Sequence, residues 1–189
     1  VVDACQARLS PAAVRAYLGL EAVVLVTGSK FFTGPPFAGA ALLPASVARR
    51  LGTARLPAGL AAYFNQGEFP PGAFAAQGLP AGGNYGLALR WHAALAEMRA
   101  LLRVAPKRRA DIIEAFGAAV RRSIDATPGL ALLPAPPIAR TAADEPWERL
   151  PSIFTFSLPA PHAPGRCLTP AAARQVYVWL NTDLSGVLP

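Results

Sequence analysis

The sequence predicts an α/β protein: a mostly parallel sheet with crossover helices, followed by a smaller α+β part. Three observations carry that expectation. "VVDAC" at 1–5, "SPAAVRAYLG" at 10–19 and "EAVVLVT" at 21–27 read as strand, helix and strand, about the spacing a parallel pair needs. The run at 21–27 is continuous in its apolar, β-branched character rather than alternating, as in strands covered on both faces. Near residue 105 the composition shifts, which divides the chain into 1–104, sheet-rich and closed by a long helix, and 105–189, a smaller α+β part.

The elements follow in order. The first strand ends at Asp3 or shortly after it. Ser10 is the expected N-cap of the first helix, Pro11 its first residue and Gly19 its stop signal. "AGAALLP" at 38–44 reads as a further strand after the Gly34-Pro35-Pro36 turn, with a helix at 45–52. Residues 57–84 are rich in Gly, Pro and aromatics and lack periodicity, a composition suited to a functional loop or lid. An amphipathic helix is expected over 85–104, stopped by Pro106, and a second over 107–127 with apolar positions at 112, 113, 116, 120 and 124. Strands are expected at 130–134 and 152–158, and a last helix over 169–181 with a Thr cap and a Pro start. The opening without Met on a strand already under way, and the close just past a helix, suggest a piece of a longer polypeptide.

Composition narrows the function classes. A hydrophobic content of 53% and a charged content of 15% describe a well-buried globular protein rather than a disordered one. No apolar run reaches the roughly 18 residues needed to span a bilayer, so no membrane partner is expected. The formal charge of +7 does not point to nucleic acid, because the arginines are scattered and "KRR" at 107–109 is the one tight cluster. Cys5 and Cys167 form neither a disulfide framework nor a metal spacing, and a reducing cytoplasm is the expected compartment.

Of the 18 basic residues only two are lysines, and one of them, Lys30, follows the second strand in "LVTGSKFFTGPPFAGA" at 25–40. A right-handed crossover brings both strand ends to one edge of the sheet, where ligands of open α/β sheets bind. Asp3 therefore leaves the first strand close to where Thr27, Ser29 and Lys30 leave the second. The backbone of the Thr27-Gly28-Ser29 turn could form an anion-binding nest. A lysine in apolar surroundings has a reason to lose its proton, and a neutral amine is the nucleophile of Schiff-base chemistry.

With "VDACQ" at 2–6 and "TGSKFFTGPPFAGAALLP" at 27–44, the chain resembles pyridoxal-phosphate enzymes of the aspartate-aminotransferase fold (fold type I), closest to the cysteine desulfurase and class V aminotransferase branch. The resemblance implies the latter half of a large cofactor-binding domain over 1–104 and a small, incomplete α+β domain over 105–189. It implies that Lys30 forms a Schiff base with the cofactor aldehyde and later moves the proton at the substrate Cα. Asp3 would pair with the pyridinium nitrogen, Gln6 would hydrogen-bond the ring 3-oxygen, and Thr27 and Ser29 would hold the phosphate. The branch often has His where Ser29 stands. The implied substrate is an amino acid, and the implied partner is a second copy in a homodimer, through a Gly-rich loop at 82–87, or a missing N-terminal half. A phosphate loop, a ring-stacking residue and the late carboxylate-binding Arg have no match in the chain.

The other candidates read more plainly. Cys5 is expected to be an inert core thiol, and Cys167 a loop thiol with no general base nearby. His92 is expected to be a half-buried packing residue beside Trp91, and His162 lies in a Pro-rich loop. Phe31, Phe32 and Phe37 could wall a cofactor crevice or pack in the core, and Tyr63 and Phe64 could belong to a lid. The reading from another class is a catalytically incomplete or non-catalytic interaction piece of the same fold.

Overall fold

The computed structural model describes residues 1–136, 138, 145–161, 163, 165–183 and 185–186. They fall into two compact units. The first takes Val1–Arg108 together with Arg140–Arg149, and the second takes Arg109–Ala139 and Leu150–Pro189. The chain therefore leaves the first unit, returns to it for a short stretch and leaves again.

The first unit is built on a sheet of three short strands, β1 (Val2–Ala4), β2 (Val24–Thr27) and β3 (Gly39–Leu42), in that order across the sheet. β1 and β2 are parallel, with Asp3 level with Leu25, and α1 (Pro11–Gly19) is the crossover between them. α1 starts where the sequence signals it. Ser10 has extended backbone, its Oγ accepts from the Ala13 N–H at 3.1 Å, and Pro11 fills the first turn, where its missing N–H costs nothing. β2 carries Val24, the largest fully buried aliphatic side chain among the described residues of the unit, whose full burial contributes about 2 kcal/mol.

β3 runs antiparallel to β2, with Thr27 opposite Gly39. The sheet is thus one parallel and one antiparallel pair. A connection of only eleven residues, 28–38, turns the chain straight back, whereas a further parallel strand needs a crossover of a dozen or more. α2 (Ala45–Leu51) follows β3. Residues 57–84 hold three short 3-10 turns, Ala58–Ala62, Gln66–Glu68 and Phe74–Gly78. α3 (Tyr85–Leu102) is capped by Asn84, whose Oδ1 accepts from the Leu87 N–H at 2.9 Å. Its expected amphipathic face is thin, since Ala94 is its one buried residue.

α4 (Pro106–Ala126) begins at the proline that ends α3, because a proline that cannot continue a helix is well placed to start one. Its buried positions are Arg109, Ala110, Gly117 and Ile124. That corrects part of the expected stripe: Ile124 is buried and Ile113 and Val120 are half-buried, as expected, but Ile112 and Phe116 are exposed, and Ala110 and Gly117 face inward in their stead. Arg109 is buried too, although the basic cluster reads as a solvated helix start. The second unit continues with the pair β4 (Ala131–Leu132) and β5 (Phe156–Ser157), antiparallel and much shorter than the apolar runs suggest. Its last helix is α5 (Pro170–Leu180), capped by Thr169.

Burial is thinner than the composition implies. Among the described residues the buried apolar set is mostly alanine, with Val24, Phe32, Leu79, Ile124 and Trp147 as its larger members. Phe37, Tyr63, Tyr85, Leu89 and Leu180 are each more than two-thirds exposed. A core of alanines gains little per residue, because stabilisation scales with the apolar area removed from water. Among the described residues no helix is long and apolar enough to cross a membrane.

Candidate functional site

The parallel pairing of β1 and β2 sends both chains out at one edge. After Ala4, residues 5–6 form a tight turn, closed by the Ala7 N–H donating to the Ala4 carbonyl at 2.6 Å. Ala7 takes a left-handed φ of 52°, which alanine adopts only under constraint from its surroundings. After Thr27, the chain enters a closed loop over 28–34. The Gly34 N–H donates to the Gly28 carbonyl at 2.9 Å, and the Thr33 N–H donates to the Lys30 carbonyl at 3.0 Å, with Thr33 itself at φ 54°. The loop packs on α3 with no room for side chains at its glycines. A Cβ on Gly28 would lie 2.4 Å from the Ala94 Cβ, and one on Gly34 2.6 Å from the Gly28 carbonyl oxygen.

Asp3, Gln6 and Lys30 line one cavity of about 430 Å³, together with Cys5, Arg8 and Tyr17. That volume is within the roughly 300–1,000 Å³ of small-molecule pockets. The cavity is wider than a crevice at the strand ends, since its wall runs from Val2 on β1 through the following turn to Leu9. Thr27 and Ser29 are absent from its wall. Their hydroxyls bond each other at 2.7 Å, and the Ser29 N–H donates to Thr27 Oγ1 at 3.2 Å. One proton of that hydroxyl pair stays available for an outside acceptor. The nest expected of the backbone here does not form as such, because the Gly28 N–H is already spent on the Ala38 carbonyl and that of Ser29 on Thr27.

The electrostatics centre on Asp3. Hydrogen bonds from the Cys5 thiol and then from the Cys5 N–H, at 2.9 Å to Oδ1, hold its carboxyl below the usual carboxylate range, and the nearby charge of Lys30 adds to this. The same contact raises the Cys5 thiol: the hydrogen bond to Asp3 comes first, then loss of solvation, then the carboxylate's charge. Cys5 is half-buried and lies in the turn after β1, rather than on a strand in the core. Lys30 is exposed, so the apolar enclosure expected around it is not supplied by the described residues.

The remaining candidates disperse. Phe32 is buried and helps line a second cavity, of about 580 Å³ and almost wholly apolar, with Val26, Leu42, Trp91 and Met98. Phe31 stacks on Trp147, and Phe37 is solvent-exposed. Arg90 and Trp91 tie α3 to the chain around the start of β3. Arg90 Nε donates to the Phe37 carbonyl at 3.3 Å, and Trp91 Nε1 to that of Gly39 at 3.0 Å. His92 is exposed, which corrects its reading as half-buried, and His162 lies outside the described residues. Cys167 is exposed, and Tyr63 and Phe64 stand away from the Lys30 cavity. No group of three or more metal-ligating side chains occurs among the described residues.

Sequence reasoning missed Tyr17 and Arg8. Tyr17 had a signal, since it lies one turn after the buried Ala13 on the face of α1 that turns toward the sheet. Arg8 had none, because its observed partner, the Trp147 carbonyl, is 139 residues away. No protein-family model, curated protein or solved structure matches the chain.

Proposed function

We propose that this chain carries the lysine-bearing part of a pyridoxal-phosphate-dependent enzyme acting on an amino acid. The observation that supports the reading best is the meeting of Lys30, Asp3 and Gln6 in one cavity, with Asp3 held ionised.

The donor set suits that cofactor. Lys30 offers an amine for an aldehyde. Asp3 offers a carboxylate that stays charged to lower pH than an ordinary one, which is what holding a proton on a pyridine nitrogen requires. Gln6 offers a donor and an acceptor to a ring oxygen, whereas the Thr27–Ser29 pair, which keeps one hydroxyl proton for an outside acceptor, lies off the wall of this cavity and would reach only a phosphate that extends beyond it. When bound, pyridoxal phosphate supplies an electron sink for the bond broken at the amino acid's Cα. Lys30 would be the base that takes the Cα proton and returns it. Asp3 would hold its negative charge toward a ring nitrogen, and the closed 28–34 loop carries Lys30 on the wall of the same cavity. Transamination, desulfuration and elimination share these duties. The Asp3 hydrogen bond keeps Cys5 protonated, which counts against it as a sulfur-accepting thiolate.

One observation favours a second reading, a catalytically incomplete or non-catalytic interaction piece of the same kind: both Asp3 and Lys30 are exposed. A spectroscopic titration separates the two. The 189-residue chain mixed with pyridoxal phosphate is expected to develop an absorbance band near the visible range, and borohydride reduction to leave added mass on the Lys30 peptide. Lys30→Ala should abolish both. A wild-type chain that shows neither at saturating cofactor would sink the first reading and leave the second.

A further inference from the structure

Residues 145–149 return to the first unit from far along the chain and meet both strand exits at once. Their short 3-10 turn, Pro146–Arg149, buries Trp147 and Glu148 completely. The Trp147 ring stacks on Phe31, the residue after Lys30, at 5.7 Å between centroids and 13° between planes. Its carbonyl accepts from Arg8 Nη2 at 2.6 Å, and the Arg8 guanidinium lies 5.6 Å from the Phe31 ring centroid. Glu148 accepts from the Ser10 N–H through Oε1 and from the Glu145 N–H through Oε2, each at 2.7 Å. The Trp147 indole N–H donates to Glu145 Oε2.

The two sides held are the two sides of the Lys30 cavity. Arg8 and Ser10 follow the Asp3–Gln6 turn, and Phe31 is part of the Lys30 loop. Neither β1 nor β2 is long, and the sheet pairing ends at Ala4 and Val26, short of both Gln6 and Lys30. Beyond that register only side-chain and loop contacts set how far Lys30 stands from Asp3. We infer that 145–149 is a clasp: Trp147 and Glu148 are positioning residues that draw the two strand exits together and fix Lys30 opposite Asp3. A buried carboxylate whose two oxygens are both taken by backbone N–H groups is oriented rigidly, and a stacked ring pair tolerates little sliding. The consequence for reactivity rests on Lys30 being the reactive amine; the clasp itself does not.

The test uses the full chain and the fact that Lys30 and Lys107 are its only lysines. Methylation of the folded protein with ¹³C-formaldehyde and cyanoborohydride gives one NMR signal for each, and Lys107 serves as the internal reference. In Trp147→Leu and in Phe31→Leu the Lys30 signal is expected to move toward its position in the denatured chain, with Lys107 unmoved. Trp147→Phe, which keeps a ring to stack, should restore the wild-type position. Wherever pyridoxal phosphate is captured at all, Trp147→Leu should capture it on the order of tenfold more slowly. A Lys30 signal that stays put in both leucine variants overturns the clasp. Should Trp147→Leu fail to fold, the half-buried Phe31 carries the test alone. A Lys30 signal that moves in the variants, with no cofactor band in the wild-type chain, would leave the clasp standing and remove the cofactor reading. A strong band with an unmoved signal would do the reverse.

Discussion

Asp3 and Cys5 are joined by hydrogen bonds from the Cys5 thiol and N–H, and the contact pushes their protons in opposite directions. Asp3 is pulled below the carboxylate range by the Cys5 thiol and N–H, while Cys5 is pushed up by the same contact, by desolvation and by the negative charge. A group with a depressed folded pKa adds stability above its unfolded pKa and loses it as pH falls through the folded value. For exposed Asp3 that window lies in acid, so the carboxylate stays charged across neutral pH. A raised thiol presents less thiolate at a given pH and reacts more slowly. Cys5 should therefore be alkylated by iodoacetamide more slowly than exposed Cys167 at neutral pH. Asp3→Asn weakens the hydrogen bond that raises the thiol and removes the charge that adds to it, and should speed Cys5 without changing Cys167. A Cys5 rate that does not respond to Asp3→Asn would refute the contact.

At the scale of elements, α3 decides the shape of the Lys30 loop although it lies more than fifty residues away in sequence. Trp91 and Arg90 hold the carbonyls of Gly39 and Phe37, and Ala94 fills the space at Gly28 and Gly34. Gly28→Ala should cost about 1–3 kcal/mol in denaturant unfolding, the usual penalty of overpacking. Because the clash is with the Ala94 methyl at 2.4 Å, adding Ala94→Gly should recover part of that loss despite the helix penalty of glycine. Additive losses would place the strain elsewhere. The crossover, the Ser10 cap and the helices at 85 and 170 were legible because local rules set them: capping groups, proline at the first turn and spacing of apolar residues. The inward face of α4 was not. Ala110 and Gly117 face inward where Phe116 does not, a choice made by the neighbours' shape: at Gly117 a Cβ would stand 3.0 Å from the Phe154 ring.

At the scale of the molecule, the division read from composition at residue 104 and the compact units differ in one respect that matters to the site. The first unit includes Arg140–Arg149, and so two of its fully buried side chains, Trp147 and Glu148, come from beyond α4. In a core otherwise made largely of alanine, a buried tryptophan is a large share of the apolar area, and removing one typically costs about 3–5 kcal/mol. Residues 1–104 expressed alone should therefore protect the amides of β1 and β2 from hydrogen exchange less than the full chain does. Equal protection in both would show that the clasp is not part of the unit's core.

The sequence alone determined the local elements and the meeting of Asp3 with Lys30, since a strand–helix–strand of that length pairs in parallel and opens at one edge. Gln6, named only through the family resemblance, lines the same cavity as Asp3 and Lys30. Tertiary structure decided what local rules do not reach. The hydroxyls of Thr27 and Ser29 turn to each other, and Trp147 and Glu148 close on Arg8, Ser10 and Phe31. Those contacts span up to 139 residues of chain. Their energy comes from burial and from satisfying buried polar groups, quantities that exist only once distant segments have met.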